Sequence, residues 1–225
     1  LNLYCFLSIN TEQIVIFTPL MKKTLQSQLN QNLPFLKDKK LLIAISGGID
    51  SVVLATLFYK LNYSISLAHC NFSLRGKESN KDEDFVKALG ERYQLPTYSI
   101  KFETEKYANK NGISTQMAAR ELRYTWFRSL REQHKFDFVL TAHHKDDVIE
   151  TFLINLTRGT GIDGLLGIPE INNHIVRPLL SFSRNDILIY ATKKKLHWRE
   201  DQSNSSIKYI RNKIRHRVVP FLKEI

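Results

Sequence analysis

Apolar and polar residues along the 225-residue chain follow two different spacings, and the two take turns. Strand-length apolar runs occur at Leu41-Leu42-Ile43-Ala44-Ile45, Ser64 to His69, Thr97 to Phe102 and Phe136 to Thr141. Each predicts a strand. Between and around them, apolar residues recur every three or four positions, which predicts helices. Leu25, Leu29 and Leu33 mark a short amphipathic helix over Thr24 to Phe35, and Val52 to Lys60 reads as another. Glu78 to Tyr93 turns Phe85 and Leu89 inward, while Ser114 to His134 carries Ala118, Leu122, Trp126 and Leu130 on one stripe. Ile149, Phe152, Leu153 and Leu156 form the apolar face of a further helix. Ile175 to Leu180 predicts a short strand, and Ser183 with Asp186 caps a helix that closes at Lys193-Lys194-Lys195. Asp201-Gln202-Ser203-Asn204 reads as a turn before a last, basic helix over Tyr209 to Leu222. Strand and helix in this alternation predict an α/β fold, a parallel twisted sheet with helices on both faces.

In such sheets ligands lie beyond the carboxyl ends of the strands. The first strand runs into Ser46-Gly47-Gly48-Ile49-Asp50-Ser51 and then into a helix. Gly47 and Gly48 let backbone approach an anion closely, the helix start offers unpaired N–H groups, and Ser46 and Ser51 add hydroxyls. Asp50 beside phosphate is repulsive unless a divalent cation intervenes, so this turn predicts Mg²⁺ as well as phosphate. Neither Gly-x-x-x-x-Gly-Lys-[Ser/Thr] nor a strand-following Gly-x-Gly-x-x-Gly occurs. The plain alternative is a glycine-rich turn that binds nothing.

Composition narrows the partners. The formal net charge is +11, and Ile175 to Ile225 holds 12 Lys/Arg against 4 Asp/Glu, so the carboxyl-terminal end is the expected polyanion face. Two cysteines, Cys5 and Cys70, stand far apart with no Cys-x-x-Cys, which supports no disulfide framework, zinc site or iron–sulfur cluster and makes the cytoplasm the default compartment. No apolar run is long enough to span a membrane. Met21-Lys22-Lys23 has the look of a natural start, with residues 1–20 as an upstream extension, 21–180 as the catalytic unit and 181–225 as a basic helical segment leading to further domains.

Other polar clusters follow strands too. His143, His144, Asp146 and Asp147 open a helix; the two aspartates either complement its dipole or do chemistry, with His143 set to meet phosphate and Asp147 to hold metal or accept a proton. His69 either caps its strand or contacts a nucleotide, Cys70 reads as a small buried residue, and Arg75 either solvates a loop or reaches an acidic ligand. Arg120 and Arg123 are surface decoration or the guanidiniums that neutralise leaving pyrophosphate. Arg158 begins a stretch with Gly159, Gly161, Gly164 and Gly167, a close approach or a flexible lid. Arg211, Lys213, Arg215, His216 and Arg217 form a solvated basic face or one that lies along a phosphate backbone.

Ser46-Gly47-Gly48-Ile49-Asp50-Ser51 resembles the pyrophosphate loop of N-type ATP pyrophosphatases. Added to it are Ala119-Arg120 with Arg123-Tyr124, Ala142-His143-His144 with Asp146-Asp147 and Glu150-Thr151, Arg158-Gly159 with Gly161, Arg177-Pro178-Leu179, Asp201 with Ser203-Asn204, and Arg211-Asn212 with Arg215. In that order and spacing the set resembles the tRNA(Ile)-lysidine synthases, over about Leu41 to Arg217. Phe72 departs from the family, which commonly has histidine there. The resemblance implies ATP and Mg²⁺, with L-lysine and an isoleucine tRNA bearing a CAU anticodon as partners. The wobble cytidine is adenylated, then attacked by the lysine ε-amine. It implies Ser46 to Ser51, His69 and His143 as nucleotide contacts, Asp50 and Asp147 as metal ligands, and Asp50, Arg120, Arg123, His143 and Asp147 as the reacting set. Arg158, Arg211, Lys213, Arg215 and Arg217 are then expected on tRNA. Oligomeric state stays open, a homodimer included. Rival readings are a tRNA thiolase, an amide-forming ligase, and a non-catalytic nucleotide or RNA-binding module.

Overall fold

A computed structural model describes residues 11–200 and 210–224, with side chains described over 21–200 and 210–222. Six strands form one sheet in the order β3-β2-β1-β4-β6-β5. These are β1 Leu41–Ala44, β2 Ile65–Asn71, β3 Thr97–Lys101, β4 Phe138–Leu140, β5 Ile171–Asn172 and β6 Ile175–Val176. All neighbouring pairs are parallel except the β5–β6 hairpin. The predicted parallel sheet is thus present with one antiparallel addition. The short strand expected over Ile175 to Leu180 is present only as β6, the second arm of that hairpin, which turns at Asn173 with φ +52°; Pro178 has no N–H to donate to a longer ladder.

Side chains alternate across the sheet. Leu41, Ile43, Ile45 and Leu67 face a large core shared with α1 Thr11–Asn32, α2 Ile49–Lys60, α3 Lys77–Tyr93 and α8 Arg184–Lys193. Leu42, Ala68 and Val139 face the other way, against Phe127 and Leu130 of α5 Thr115–His134. The inward stripe of α5 is therefore Ala118, Phe127 and Leu130, with Leu122 and Trp126 half-buried at its margin. On α3 the fully covered residues include Val86 and Leu89, and Phe85 sits partly exposed near Gly47.

Several ends follow local chemistry. Pro34 starts a short 3₁₀ turn, Pro34–Leu36, after α1, and Ser114 caps α5 by accepting the Met117 N–H at 3.3 Å. α4, Thr104–Asn111, was hidden by its polar sequence and ends at Gly112 in the left-handed region. Ser183 and Asp186 form the predicted capping box of α8. Phe182, Ile187, Tyr190 and Ala191 belong to the main core, so packing continues without a break past residue 180. α1 likewise runs through Met21. The predicted turn at Asp201 to Asn204 lies outside the described residues. Beyond it come α9 Ile210–Lys213, a π-helical turn Ile214–Val218 and α10 Val219–Glu224.

The remaining helices, α6 Lys145–Thr157 and α7 Ile162–Leu165, form the rim. α6 departs from expectation. Its apolar residues Phe152 and Leu156 are exposed, while Asp146 and Glu150 are buried. The helix is rotated so that its acidic side meets arginines from α9 and the π turn. No helix among the described residues is long and apolar enough to cross a membrane.

Candidate functional site

Strand β1 ends where the chain must reverse into α2, and Gly47 makes the turn at φ +90°. A Cβ there would lie 3.4 Å from the Phe85 ring, an ordinary contact, so the backbone conformation and not lack of space favours glycine. Ser51 knits the loop: its hydroxyl donates to the Gly48 carbonyl at 2.8 Å and accepts the Ser46 N–H at 3.2 Å. The Ser46 hydroxyl accepts the Gly48 N–H at 3.2 Å. Ile49 lies with its side chain in the core, so only its backbone serves the loop. The first N–H groups of α2 have no carbonyl a turn earlier and point out of the helix start.

A strap holds this loop from outside. The Arg199 N–H donates to the Gly47 carbonyl at 2.9 Å, and the Arg199 guanidinium is fixed by Asp82 at 3.0 Å and Glu78 at 2.6 Å. None of these three residues was expected near the loop.

Opposite the loop, β4 delivers Thr141, His143 and His144 to the start of α6. His144 caps α6, and its backbone N–H donates to the Asp147 carboxylate at 3.0 Å. Its buried ring brings Nε2 to 3.5 Å from Asp147 and 3.9 Å from Asp50, which joins the two carboxylates across the cleft. Burial pushes the Asp50 carboxyl up, Asp147 adds to that, and Arg184, 2.5 Å away, opposes it. His143 lies beside Thr141, whose hydroxyl is 2.9 Å from Nδ1. Burial pulls His143 down to about 4, against Asp147 and with help from Arg177, Arg211 and Arg123, so the ring is neutral at pH 7.

The end of the cleft away from the loop is an ion network that sequence reasoning missed. Glu150, 1 % exposed, accepts from Arg211 Nε at 2.9 Å and from Arg215 Nε at 2.6 Å. Arg215 also reaches Asp147 at 3.3 Å. The spacing Asp147 to Glu150, with Arg211 to Arg215 one turn apart, was the available signal: two pairs that each share a helix face.

Together these elements enclose a cleft of about 420 Å³ lined by Ser46, Asp50 and Ser51 on one side and by Arg123, His143, Asp147, Arg211 and Arg215 on the others. Arg123 stands over the Phe72 ring at 5.1 Å. Other expected residues fall elsewhere. His69 is buried beneath the loop, donating through Nδ1 to the Ile45 carbonyl at 2.9 Å, and does not line the cleft. Arg120 stacks on Tyr124 at 4.9 Å and faces a different cavity. Arg158 is exposed at the carboxyl end of α6. Arg211 and Arg215 turn inward to carboxylates instead of presenting an outward basic face, whereas Lys213 and Arg217 are exposed. Cys70, by contrast, is half-buried and lines the cleft, its thiol pushed up to about 12 by desolvation.

As for a metal, no group of three or more His, Cys, Asp or Glu able to hold an ion occurs among the described residues. Asp50 and Asp147 nevertheless fit Mg²⁺, which commonly takes one or two carboxylates and completes its shell with water and substrate phosphate.

The model of the family described as PP-loop domain matches residues 21–222. A protein named tRNA(Ile)-lysidine synthase from Porphyromonas gingivalis is 47% identical over 189 residues, covering 84% of this chain and 42% of its own length. One of the same name from Chlorobaculum tepidum is 40% identical, covering 90% of this chain and 62% of its own. The chain thus spans less than two thirds of these relatives. Among solved structures, a U34-tRNA thiolase from Methanococcus maripaludis with a 4Fe-4S cluster superposes with a TM-score of 0.74 at 19% identity, over 95% of this chain and 75% of that one. An NH3-dependent NAD synthetase from Campylobacter jejuni does so at 0.53 and 18%, over 97% and 89%. Both likenesses are of fold alone.

Proposed function

Because the chain belongs to the PP-loop domain family, we propose that its cleft cleaves ATP between the α and β phosphates and adenylates the wobble cytidine of an isoleucine tRNA with a CAU anticodon, for displacement by L-lysine. The observation that carries this is the gathering of Ser46, Asp50 and Ser51 with Arg123, His143 and Asp147 around one cleft. The choice of tRNA and lysine rests on the lysidine synthase name of relatives 40–47% identical to this chain.

The loop backbone from Gly47 to Ser51 takes the β and γ phosphates, where N–H groups and the helix dipole need no reorganisation. Asp50 and Asp147 would hold Mg²⁺, which would supply neutralisation of the pyrophosphate leaving group. Arg184, paired with Asp50, adds positive charge at that end of the cleft. Arg123 faces the charge that develops at the α phosphorus as the cytidine C2 oxygen bonds to it and the bond to pyrophosphate breaks. A neutral His143 adds a hydrogen bond there without a charge to desolvate. In the second step the lysine ε-amine bonds to C2 and AMP leaves. Asp147, where it is not engaged by the metal, is placed to bind the ammonium form and to accept the proton it must lose. Glu150 acts as a positioning residue, holding Arg211 and Arg215 so that Asp147 stays in the cleft.

Protein mixed with CAU-anticodon isoleucine tRNA, ATP, Mg²⁺ and labelled lysine is expected to transfer label to RNA, releasing one AMP and one pyrophosphate per lysine. Pyrophosphate release that is independent of tRNA and of lysine would overturn the substrate assignment.

A further inference from the structure

A second cavity, about 580 Å³ and larger than the cleft, lies beside α5 on the sheet face opposite α2 and α8, over β4 and the β5–β6 hairpin. α5 contributes Arg120, Tyr124, Arg128 and Arg131, which recur at helical spacing and run about 16 Å along one stripe. The hairpin contributes His174, and Arg177 follows just after it. No carboxylate is among the described lining residues, so four guanidiniums converge on one concavity, with Glu132 meeting Arg131 from outside it at 3.9 Å.

Arg177 shows that the site is built. It is 5 % exposed, its Nη1 donates to the Pro169 carbonyl at 2.7 Å, and its buried Nε has no hydrogen-bond partner. Burial pulls Arg177 down, Tyr124 beside it opposes that, and the Arg120 charge adds a smaller pull that an anion in the cavity would offset. The Arg120 guanidinium stands over the Tyr124 ring, 4.9 Å from its centroid, a guanidinium–aromatic pair, and Asn172 and Asn173 add amides to the lining. Tyr124 lines both this cavity and the cleft, so the two are neighbours across one side chain.

We propose that this cavity holds the single-stranded RNA flanking the base that reacts in the cleft, with Arg128 and Arg131 on phosphates and the Arg120–Tyr124 pair under an unstacked base. The proposal deepens the reading of the cleft as a tRNA-modifying site and rests on it. A base presented to the cleft arrives attached to its neighbours, and the adjoining surface has what an unpaired loop requires: cations for its backbone and flat groups for its bases. An acidic protein segment would find the charge but would leave that pair and the amides unused.

The test compares the protein with its Arg128→Ala/Arg131→Ala double variant in binding a CAU anticodon stem-loop RNA by fluorescence anisotropy over a salt series. Loss of two phosphate contacts is expected to weaken binding by roughly tenfold or more near 0.1 M salt. The slope of log K against log salt should fall by about 1.4, with Arg128→Lys/Arg131→Lys keeping most of it. ATP binding, measured on the same samples, should be unchanged, which shows that the variant is folded. Unchanged RNA affinity and slope with ATP binding intact overturn the proposal. So does loss of polyglutamate binding with RNA affinity retained, which would make the cavity a protein-docking site. Lysine transfer separates the two levels. Wild-type transfer with the double variant's KM for tRNA unchanged sinks the cavity assignment alone. Absence of transfer, with the RNA affinity still falling, sinks the reading of the cleft and leaves the cavity standing.

Discussion

The two ends of the cleft hold charge by opposite means. At the loop end, anion affinity comes from main-chain amides at a helix start, set by Gly47 and knitted by Ser51, with a single carboxylate, Asp50, nearby. At the other end charge is held by side chains: a buried Glu150 gripped by Arg211 and Arg215, with Asp147 beside them. Amides cannot be titrated and barely move, which suits the phosphate site proposed for that end. A network of ion pairs can exchange partners, which suits the amine site proposed for this one. The difference implies that damage at the loop end should cost chemistry, and damage at the far end should cost structure first.

The largest expected effect is on chemistry. Asp50→Ala should slow tRNA-dependent pyrophosphate release by about 10²-fold or more. Its effect on stability should stay under about 1 kcal/mol, because the Arg184 pair it breaks is partly exposed. Normal release from this variant would remove the loop from the mechanism. Next comes Glu150→Ala, which leaves two guanidiniums without their buried acceptor. It should cost about 3 kcal/mol in denaturant unfolding and increase proteolysis of the chain around residues 210–224. A loss of activity at full stability would mean that Glu150 acts on substrate directly. Gly47→Ala should cost about 1–2 kcal/mol from its positive φ, and should also weaken ATP binding. A neutral result would show that the turn can relax.

The smallest effect concerns pH. His143 is pulled down to about 4, below an unfolded value near 6.5, so between those limits the unfolded chain binds the extra proton. Its stabilising contribution is complete above about pH 6.5 and is lost as pH falls toward 4. His143→Gln should flatten that part of the stability profile by at most about 1.4 kcal/mol per pH unit. An identical slope in the variant would assign the acid sensitivity elsewhere.

The contrast also explains what could be read without coordinates. Strand β1, the loop and the start of α2 are contiguous, so spacing and residue type suffice: Ser46 to Ser51 lie where expected, as do the capping pair of α8 and the alternation of strands and helices. The arginine–glutamate network joins residues 61 and 65 positions apart, and a basic helix looks the same in sequence whether its arginines face solvent or a buried acid. For the same reason Arg211 and Arg215 were expected on tRNA, and Phe152 and Leu156 in the core. His69, expected either to cap its strand or to contact a nucleotide, has its Nδ1 on the Ile45 carbonyl just past β1, a pairing that residue type alone does not reveal. Arg120 was assigned to the nucleotide because helical spacing gives the direction of a side chain only relative to its own axis.

The central claim is that triphosphate lies on the amide end of the cleft with a metal shared by the two aspartates. A crystal structure with a non-hydrolysable ATP analogue and Mg²⁺ tests it most directly. The β and γ phosphates are expected within hydrogen-bonding distance of the Gly47 to Ser51 amides, with the ion on Asp50 and Asp147. Phosphates seated on Arg211 and Arg215, with the glycine turn empty, would contradict it.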